Sequence, residues 1–131
     1  MTDEELVAQA QQAREFAYVP YSRFKVGAAL LGASGRVFTG CNVENAAYPL
    51  CTCAERTAVV KAVSEGEKHI VAVAVVTATG AMPCGACRQV LREFAGPESD
   101  LRVIVADTAG HWQTYTIEEL LPEGFGPHQL E

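Results

Sequence analysis

The stretch at residues 70–76 is apolar throughout, and it limits what this chain can fold into more than any other feature. A strand without polar positions is buried on both faces, as in the sheets of α/β proteins. Helical spacing of apolar residues precedes it at residues 54–63 and follows it at residues 84–94, and a second apolar strand pattern lies at residues 101–105. The sequence therefore predicts a sheet with helices packed on both of its faces.

Shorter patterns extend this arrangement toward both ends of the chain. A capping-box sequence at residues 2–5 begins a helix, and the turn Gly-Ala-Ser-Gly at residues 32–35 predicts a hairpin. The further predicted elements are the two hairpin strands, an edge strand and a short last helix, at residues 26–31, 36–40, 112–116 and 117–121. We expect a single α/β domain over residues 1–131, a three-layer α/β/α arrangement with a mixed sheet of roughly five strands.

The charge of the chain restricts its partners. Lysine and arginine together number 10 against 16 acidic residues, which gives a net charge of -6. Because proteins that bind nucleic acids neutralise phosphates with lysine and arginine, this balance argues against a polynucleotide partner and favours a small molecule. The N-terminal sequence lacks the basic start and apolar core of a secretory signal, and no apolar run reaches the length of a membrane span. We therefore expect a cytoplasmic protein without a membrane partner.

Three of the five cysteines lie in two short motifs that together indicate a metal site. Cys53 is followed two residues later by Glu55, and Cys84 and Cys87 form a Pro-Cys-x-x-Cys sequence. Three thiolates can fill three corners of a zinc tetrahedron and leave the fourth to water, and this spacing is the signature of zinc-dependent deaminases. Cys51 is the one rival ligand near the first motif. An open fourth position favours a hydrolytic site over a structural one.

Three charged residues lie beside the predicted ligands. At the start of a helix, Glu55 can take a proton from a metal-activated water and deliver it to a substrate. Three thiolates around a divalent cation carry excess negative charge, which helix N-termini offset in part. Arg56 and Arg88 each directly follow a motif, so we expect them to donate hydrogen bonds to the coordinated sulfur atoms. The alternative for Arg56 is an exposed helix arginine.

Several segments together resemble cytidine deaminases, specifically the small type with three cysteine zinc ligands. They are VPYSRFKVGAAL at residues 19–30, GCNVENA at 40–46, CAER at 53–56, PCGACRQ at 83–89 and LLP at 120–122. The metal motifs are typical of the whole deaminase superfamily. The segment at residues 40–46, together with Tyr-Ser-x-Phe at residues 21–24, more specifically resembles deaminases that act on nucleosides. The resemblance implies hydrolytic deamination of cytidine and 2'-deoxycytidine, in pyrimidine salvage, on a three-layer mixed-sheet fold.

The resemblance also implies a set of metal ligands and a proton carrier. Zn²⁺ is expected to be held by Cys53, Cys84 and Cys87, with hydroxide formed on the metal attacking C4 of the base. Glu55 then has the role of proton shuttle.

Residues outside the metal motifs match the substrate contacts of the same family. Asn42 and Glu44 match the positions that hydrogen-bond the sugar hydroxyls, and Phe24 matches the aromatic that packs against the base. Phe125 matches an aromatic that closes over a neighbouring subunit's substrate. The resemblance therefore implies a homotetramer with shared active sites.

Three other functions remain open at this stage. Deaminases of another cytosine-bearing small molecule, such as blasticidin S, share both metal motifs. A non-catalytic binding module stabilised by zinc would need the cysteines but not Glu55. An RNA- or DNA-editing role rests on fold analogy alone, and the acidic charge argues against it.

Overall fold

The structure is a computed structural model that describes residues 1–97 and 100–130. Its strands are β1 (Gly27–Gly32), β2 (Val37–Cys41), β3 (Ile70–Thr77), β4 (Arg102–Asp107) and β5 (Trp112–Thr116). Its α-helices are α1 (Asp3–Arg14), α2 (Ala54–Ser64), α3 (Gly85–Glu93) and α4 (Ile117–Leu120). Two short 3₁₀ helices lie at Tyr48–Leu50 and Pro127–Leu130. These elements confirm the predicted alternation of helices and strands.

The strands form one mixed sheet in the order β2-β1-β3-β4-β5. The hairpin strand β1 pairs antiparallel with both β2 and β3, and β5 pairs antiparallel with β4. Between β3 and β4 the pairing is parallel, because α3 carries the chain back across the sheet. The apolar stretch that the sequence places at the centre is the middle strand β3, of which only Val71 is less than fully buried.

Side chains alternate across β3 and create two separate cores. Ala72, Ala74 and Val76 pack with the buried face of α1 on one side of the sheet. Val73 and Val75 belong to the larger core on the other side, which α2, α3 and α4 cover. The three-layer α/β/α prediction is confirmed.

Gly40 allows α2 to lie directly against β2. A Cβ at this position would come within 2.6 Å of the Ala58 nitrogen and 2.7 Å of the Ala54 carbonyl oxygen, closer than real Cβ contacts. The absence of a side chain therefore fixes how closely the first turn of α2 approaches the sheet. That turn begins at Cys53, so the contact also determines where the first predicted metal ligand lies.

None of the helices in the described part of the chain combines the length and apolar character that crossing a membrane requires.

Candidate metal centre and active site

Both cysteine motifs lie at helix N-termini. Cys53 is the N-cap residue of α2, Cys84 is the N-cap residue of α3, and Cys87 lies in the first turn of α3. Neither N-cap side chain accepts a capping hydrogen bond from the backbone of its own helix, so both sulfur atoms are available to another partner. The unpaired amide groups and partial positive charge of a helix N-terminus favour thiolate over thiol.

The three sulfur atoms form a triangle of the size that zinc requires. All three Sγ atoms lie within 4.8 Å of one another. The distance from Cys53 Sγ to Cys84 Sγ is 4.0 Å, and that from Cys84 Sγ to Cys87 Sγ is 3.4 Å. With Zn–S bonds of about 2.3 Å, the sulfur atoms of a tetrahedral site are about 3.8 Å apart. The residues present fit a zinc ion bound by three thiolates with one position open.

Cys51, the rival ligand, points elsewhere. Its sulfur accepts a hydrogen bond from the Asn45 backbone nitrogen at 3.3 Å and donates one to the Asn45 carbonyl oxygen at 3.6 Å. It is not part of the sulfur cluster. Cys51 therefore stabilises the loop that follows β2.

Cys53 and Cys87 have pKa values that are shifted in opposite directions. Contact with the Cys87 thiol, followed by the Arg56 guanidinium, lowers the pKa of Cys53 to about 5 against the opposing effect of burial. The same contact with Cys53, together with burial, raises the pKa of Cys87. Cys53 thus ionises before Cys87. Metal binding must release the remaining thiol protons, so metal affinity depends on pH.

Arg56 lies where the sequence predicts, against the sulfur of Cys53. Its Nη2 donates to Cys53 Sγ at 3.6 Å and to the Cys51 carbonyl oxygen at 3.2 Å. The hydrogen bond to Cys53 raises the pKa of Arg56 above its usual value. The side chain is half-buried, which differs from the exposed helix arginine that was the alternative.

Arg88 differs from its prediction. Its Nε donates to the Pro83 carbonyl oxygen at 2.8 Å, and its Nη1 donates to the Leu120 carbonyl oxygen at 2.9 Å. Within the described residues it donates no hydrogen bond to a sulfur atom. Arg88 instead joins the entry of α3 to the end of α4, so it fixes the backbone around the ligands rather than their charge.

Glu55 is a buried carboxyl group beside the cluster. It is only 4% exposed and lines the same cavity as the three sulfur atoms. Burial is the main reason that its pKa rises to about 6, and the negative charge of Cys53 adds to the effect. A carboxyl group with a pKa near neutrality can both accept and donate a proton, which general acid–base catalysis requires.

The cavity that contains the cluster has a volume of about 290 Å³. Phe24, Asn42 and Glu44 line the same cavity as the metal motifs. Larger cavities of about 390 and 410 Å³ lie elsewhere, beside Arg102 and Lys61. We regard the 290 Å³ cavity as the functional one because its lining includes the sulfur cluster and Glu55.

Asn42 makes two hydrogen bonds within its own chain. Its Oδ1 accepts from the Val26 backbone nitrogen at 2.9 Å, and its Nδ2 donates to the Phe24 carbonyl oxygen at 2.8 Å. An amide side chain has two donor hydrogens and two acceptor lone pairs, so one of each remains for a ligand.

Glu44 anchors the loop before Phe24. Its Oε1 accepts from the backbone nitrogens of Tyr21 at 3.0 Å and Ser22 at 3.1 Å, and its Oε2 accepts from the Ser22 hydroxyl group. The Ser22 hydroxyl is the main cause that lowers the pKa of Glu44. The carboxylate therefore stays ionised, and Oε2 keeps one lone pair for a hydroxyl donor.

Phe125 lies outside the cavity of its own chain. Its side chain is 56% exposed, and its carbonyl oxygen accepts a hydrogen bond from Gln89 Nε2 at 2.9 Å.

The structure also adds cavity residues that the sequence analysis missed, notably Thr77 and Met82. Thr77 Oγ1 accepts from the Ala81 nitrogen at 2.8 Å and orders the loop before Cys84. The sequence signal that could have indicated a role for Thr77 is that it is a polar residue at the end of an apolar strand.

Comparison with known proteins agrees with this geometry. The family model for the zinc-binding region of cytidine and deoxycytidylate deaminases matches residues 1–101. Cytidine deaminase of Halalkalibacterium halodurans is 53% identical over 122 residues, which cover 92% of this chain and 91% of that protein. Cytidine deaminase of Mycobacterium tuberculosis strain H37Rv is 46% identical over 127 residues, covering 95% of this chain and 90% of that protein. The crystal structure of cytidine deaminase from Burkholderia pseudomallei superposes with a TM-score of 0.90 at 47% identity, covering 95% of this chain and 100% of that chain. The chain therefore belongs to the zinc-binding family of cytidine and deoxycytidylate deaminases.

Proposed function

We propose that this chain is a zinc-dependent enzyme that catalyses the hydrolytic deamination of cytidine to uridine and of 2'-deoxycytidine to 2'-deoxyuridine, with release of ammonia. The observation that carries the proposal is the sulfur triangle, with edges of 3.4 and 4.0 Å, in one cavity with the buried carboxyl group of Glu55. Similarity to cytidine deaminases over more than nine-tenths of the chain supports the same reaction. The proposed catalytic domain spans residues 1–131.

The metal ligands in this proposal are Cys53, Cys84 and Cys87. A zinc ion bound there supplies an acidified water as the nucleophile for C4 of the base. The two helix N-termini and the guanidinium group of Arg56 offset the negative charge of the thiolates. This compensation preserves the acidity that the reaction needs.

Glu55 carries the protons in the proposed reaction. Its carboxylate accepts a proton from the attacking water and delivers it to N3 of the cytosine ring. A second transfer through the same carboxyl group protonates the leaving amino group at C4. Its raised pKa, about 6, supports both directions of transfer near neutral pH.

Phe24, Asn42 and Glu44 are the proposed substrate contacts. The ring of Phe24 offers an apolar face to the pyrimidine. The remaining amide hydrogen of Asn42 and the remaining lone pair of Glu44 suit the hydroxyl groups of the sugar, which both donate and accept.

The lining of the cavity favours a nucleoside over its 5'-phosphate. None of its described lining residues is lysine or arginine, and Glu44 adds a negative charge. A phosphate group would meet a like charge and no cationic side chain among these lining residues. We expect cytidine 5'-phosphate to react with a kcat/KM about 100-fold below that of cytidine.

The proposed assembly is a homotetramer in which Phe125 closes over the substrate of a neighbouring subunit. Support comes from the exposed position of its ring outside its own cavity. Other large apolar side chains are also exposed, including Tyr48 at 77% and Leu50 at 66%.

We place the enzyme in the reducing cytoplasm, because its five cysteines are free and three of them must stay reduced to bind zinc.

The test is an ultraviolet assay of purified, zinc-loaded protein with four substrates: cytidine, 2'-deoxycytidine, cytidine 5'-phosphate and blasticidin S. We expect turnover of the two nucleosides, its loss on prolonged chelation and its return with added zinc. Turnover of blasticidin S alone would favour the antibiotic as substrate. No turnover of either nucleoside would reject the proposal.

A further inference from the structure

One face of α3 holds the C-terminal segment of the chain. Gln89 Nε2 donates to the carbonyl oxygen of Phe125 at 2.9 Å, and Arg92 Nη2 lies 3.2 Å from His128 Nδ1. Gln89 and Arg92 are three residues apart on the helix, so their side chains project from the same face. The N-terminus of the same helix carries the Cys84–Cys87 pair.

The hydrogen-bond chemistry makes this attachment specific. A guanidinium group can only donate, so Arg92 is the donor in its contact with His128 Nδ1. Arg92 is only 3% exposed and also donates to the Gly96 carbonyl oxygen at 3.1 Å. A Cβ at Gly126 would meet both Arg92 and His128 at 3.2 Å, so the backbone after Phe125 passes close above the guanidinium.

The ring of Phe125 gains little from packing within its own chain, because its side chain is 56% exposed. An aromatic ring without a packed pocket takes its position from its backbone. The Gln89 amide is the side chain that contacts that backbone at Phe125 itself.

We propose that Gln89 is a positioning residue for Phe125, so that α3 fixes two of the zinc ligands of one subunit, Cys84 and Cys87, and also the aromatic ring offered to its neighbour. The inference rests on the proposed function, in which Phe125 closes over a neighbouring subunit's nucleoside. Gln89 does not contact that substrate. It sets the place from which the ring reaches it, and so contributes to substrate affinity.

The test begins with Gln89→Ala. We expect KM for cytidine to rise about 3- to 10-fold, the value of one neutral hydrogen bond, while kcat and zinc content stay within about twofold. Glu93→Ala, an exposed position on the same helix, is the matched control and should leave KM unchanged. If Gln89→Ala folds poorly, Gln89→Met keeps the length without the donor and should give the same result. An unchanged KM in the folded variant would overturn the proposal.

A double-mutant cycle separates positioning from a general structural role. In a Phe125→Ala background, Gln89→Ala should raise KM no further, because the ring on which it acts is already gone. An equal increase in both backgrounds would overturn the proposal. If the unmodified enzyme does not deaminate cytidine, the proposed function fails, and a crystal structure of Gln89→Ala still decides this inference. Displacement of Phe125 supports it, and an unmoved Phe125 overturns it.

Discussion

Arg56 Nη2 donates a hydrogen bond to the sulfur of Cys53 across 3.6 Å, which brings a positive charge directly against the cysteine cluster. Hydrogen bonds to metal ligands typically change metal affinity or activity by about 10- to 100-fold. We expect Arg56→Gln to lower both by that amount, measured by competition with a chelator and by kcat. Lys61→Gln removes a charge from the exposed face of the same helix and should change neither. Equal losses in the two variants would contradict a specific role for this hydrogen bond.

Glu55→Gln tests the proton carrier separately from the metal. The amide has nearly the same size and fits the buried position, but it cannot shuttle a proton. We expect folded protein with full zinc content and a kcat lower by about 10²- to 10⁴-fold. Zinc analysis and the ultraviolet assay measure the two properties. Retention of more than a tenth of the activity would contradict the role of Glu55 as the proton carrier.

Cys51 and Cys53 provide a matched pair of substitutions. Cys53→Ser removes a proposed ligand, so we expect loss of bound zinc and of activity. Cys51→Ser places a hydroxyl group where it can keep both hydrogen bonds to the Asn45 backbone, so zinc content and kcat should stay within about twofold. A loss of zinc in Cys51→Ser would identify Cys51 as a fourth ligand.

The hydrogen bonds between Glu44 and the loop that carries Phe24 depend on the ionisation of the Glu44 carboxyl group. The hydrogen bond from the Ser22 hydroxyl, followed by the backbone hydrogen bonds, lowers this pKa below its usual 4.5. A group whose pKa is lowered by folding stabilises the folded loop above its unfolded pKa, and this contribution is lost as pH falls through the folded pKa. In an NMR titration of carboxyl carbons, Glu44 should therefore titrate below 4.5, and Ser22→Ala should move it upward. An unmoved titration would contradict the assigned cause.

Gly40→Ala tests the close approach of α2 to the sheet. The added Cβ would lie 2.6 Å from the Ala58 nitrogen, so either the helix or the strand must move. We expect the free energy of unfolding to fall by about 1–3 kcal/mol, measured by denaturant titration at fixed zinc concentration. Gly85→Ala is the control, because a Cβ there meets nothing within 4 Å. It should leave stability unchanged or slightly higher, and an equal fall in both variants would contradict the packing argument.

The sequence predicted the layers of the fold well because burial leaves a periodic record. The unbroken apolar run of β3 and the helical spacing of α2 and α3 each correspond to one environment along the whole element. The sulfur cluster was also accessible to prediction, because the two cysteine motifs together match the signature of zinc-dependent deaminases.

Contacts between distant segments leave no such record. Arg56 and Arg88 occupy equivalent places after their motifs, yet Arg88 extends to the Leu120 carbonyl oxygen, 32 residues away in sequence. The hydrogen bonds of Glu44 to Ser22 span 22 residues and likewise depend on the packed fold. Their donor and acceptor partners become evident only from the three-dimensional arrangement.

Cys53 and Cys84 are 31 residues apart in sequence, although their sulfur atoms lie 4.0 Å apart in the folded chain. In the unfolded chain only cysteines that are close in sequence can bind a metal ion together, and such pairs bind it far more weakly than the three ligands assembled by folding. Zinc supply therefore sets the folded population of this enzyme as well as its turnover. In zinc-starved cells we expect faster proteolysis and a lower abundance of the protein itself.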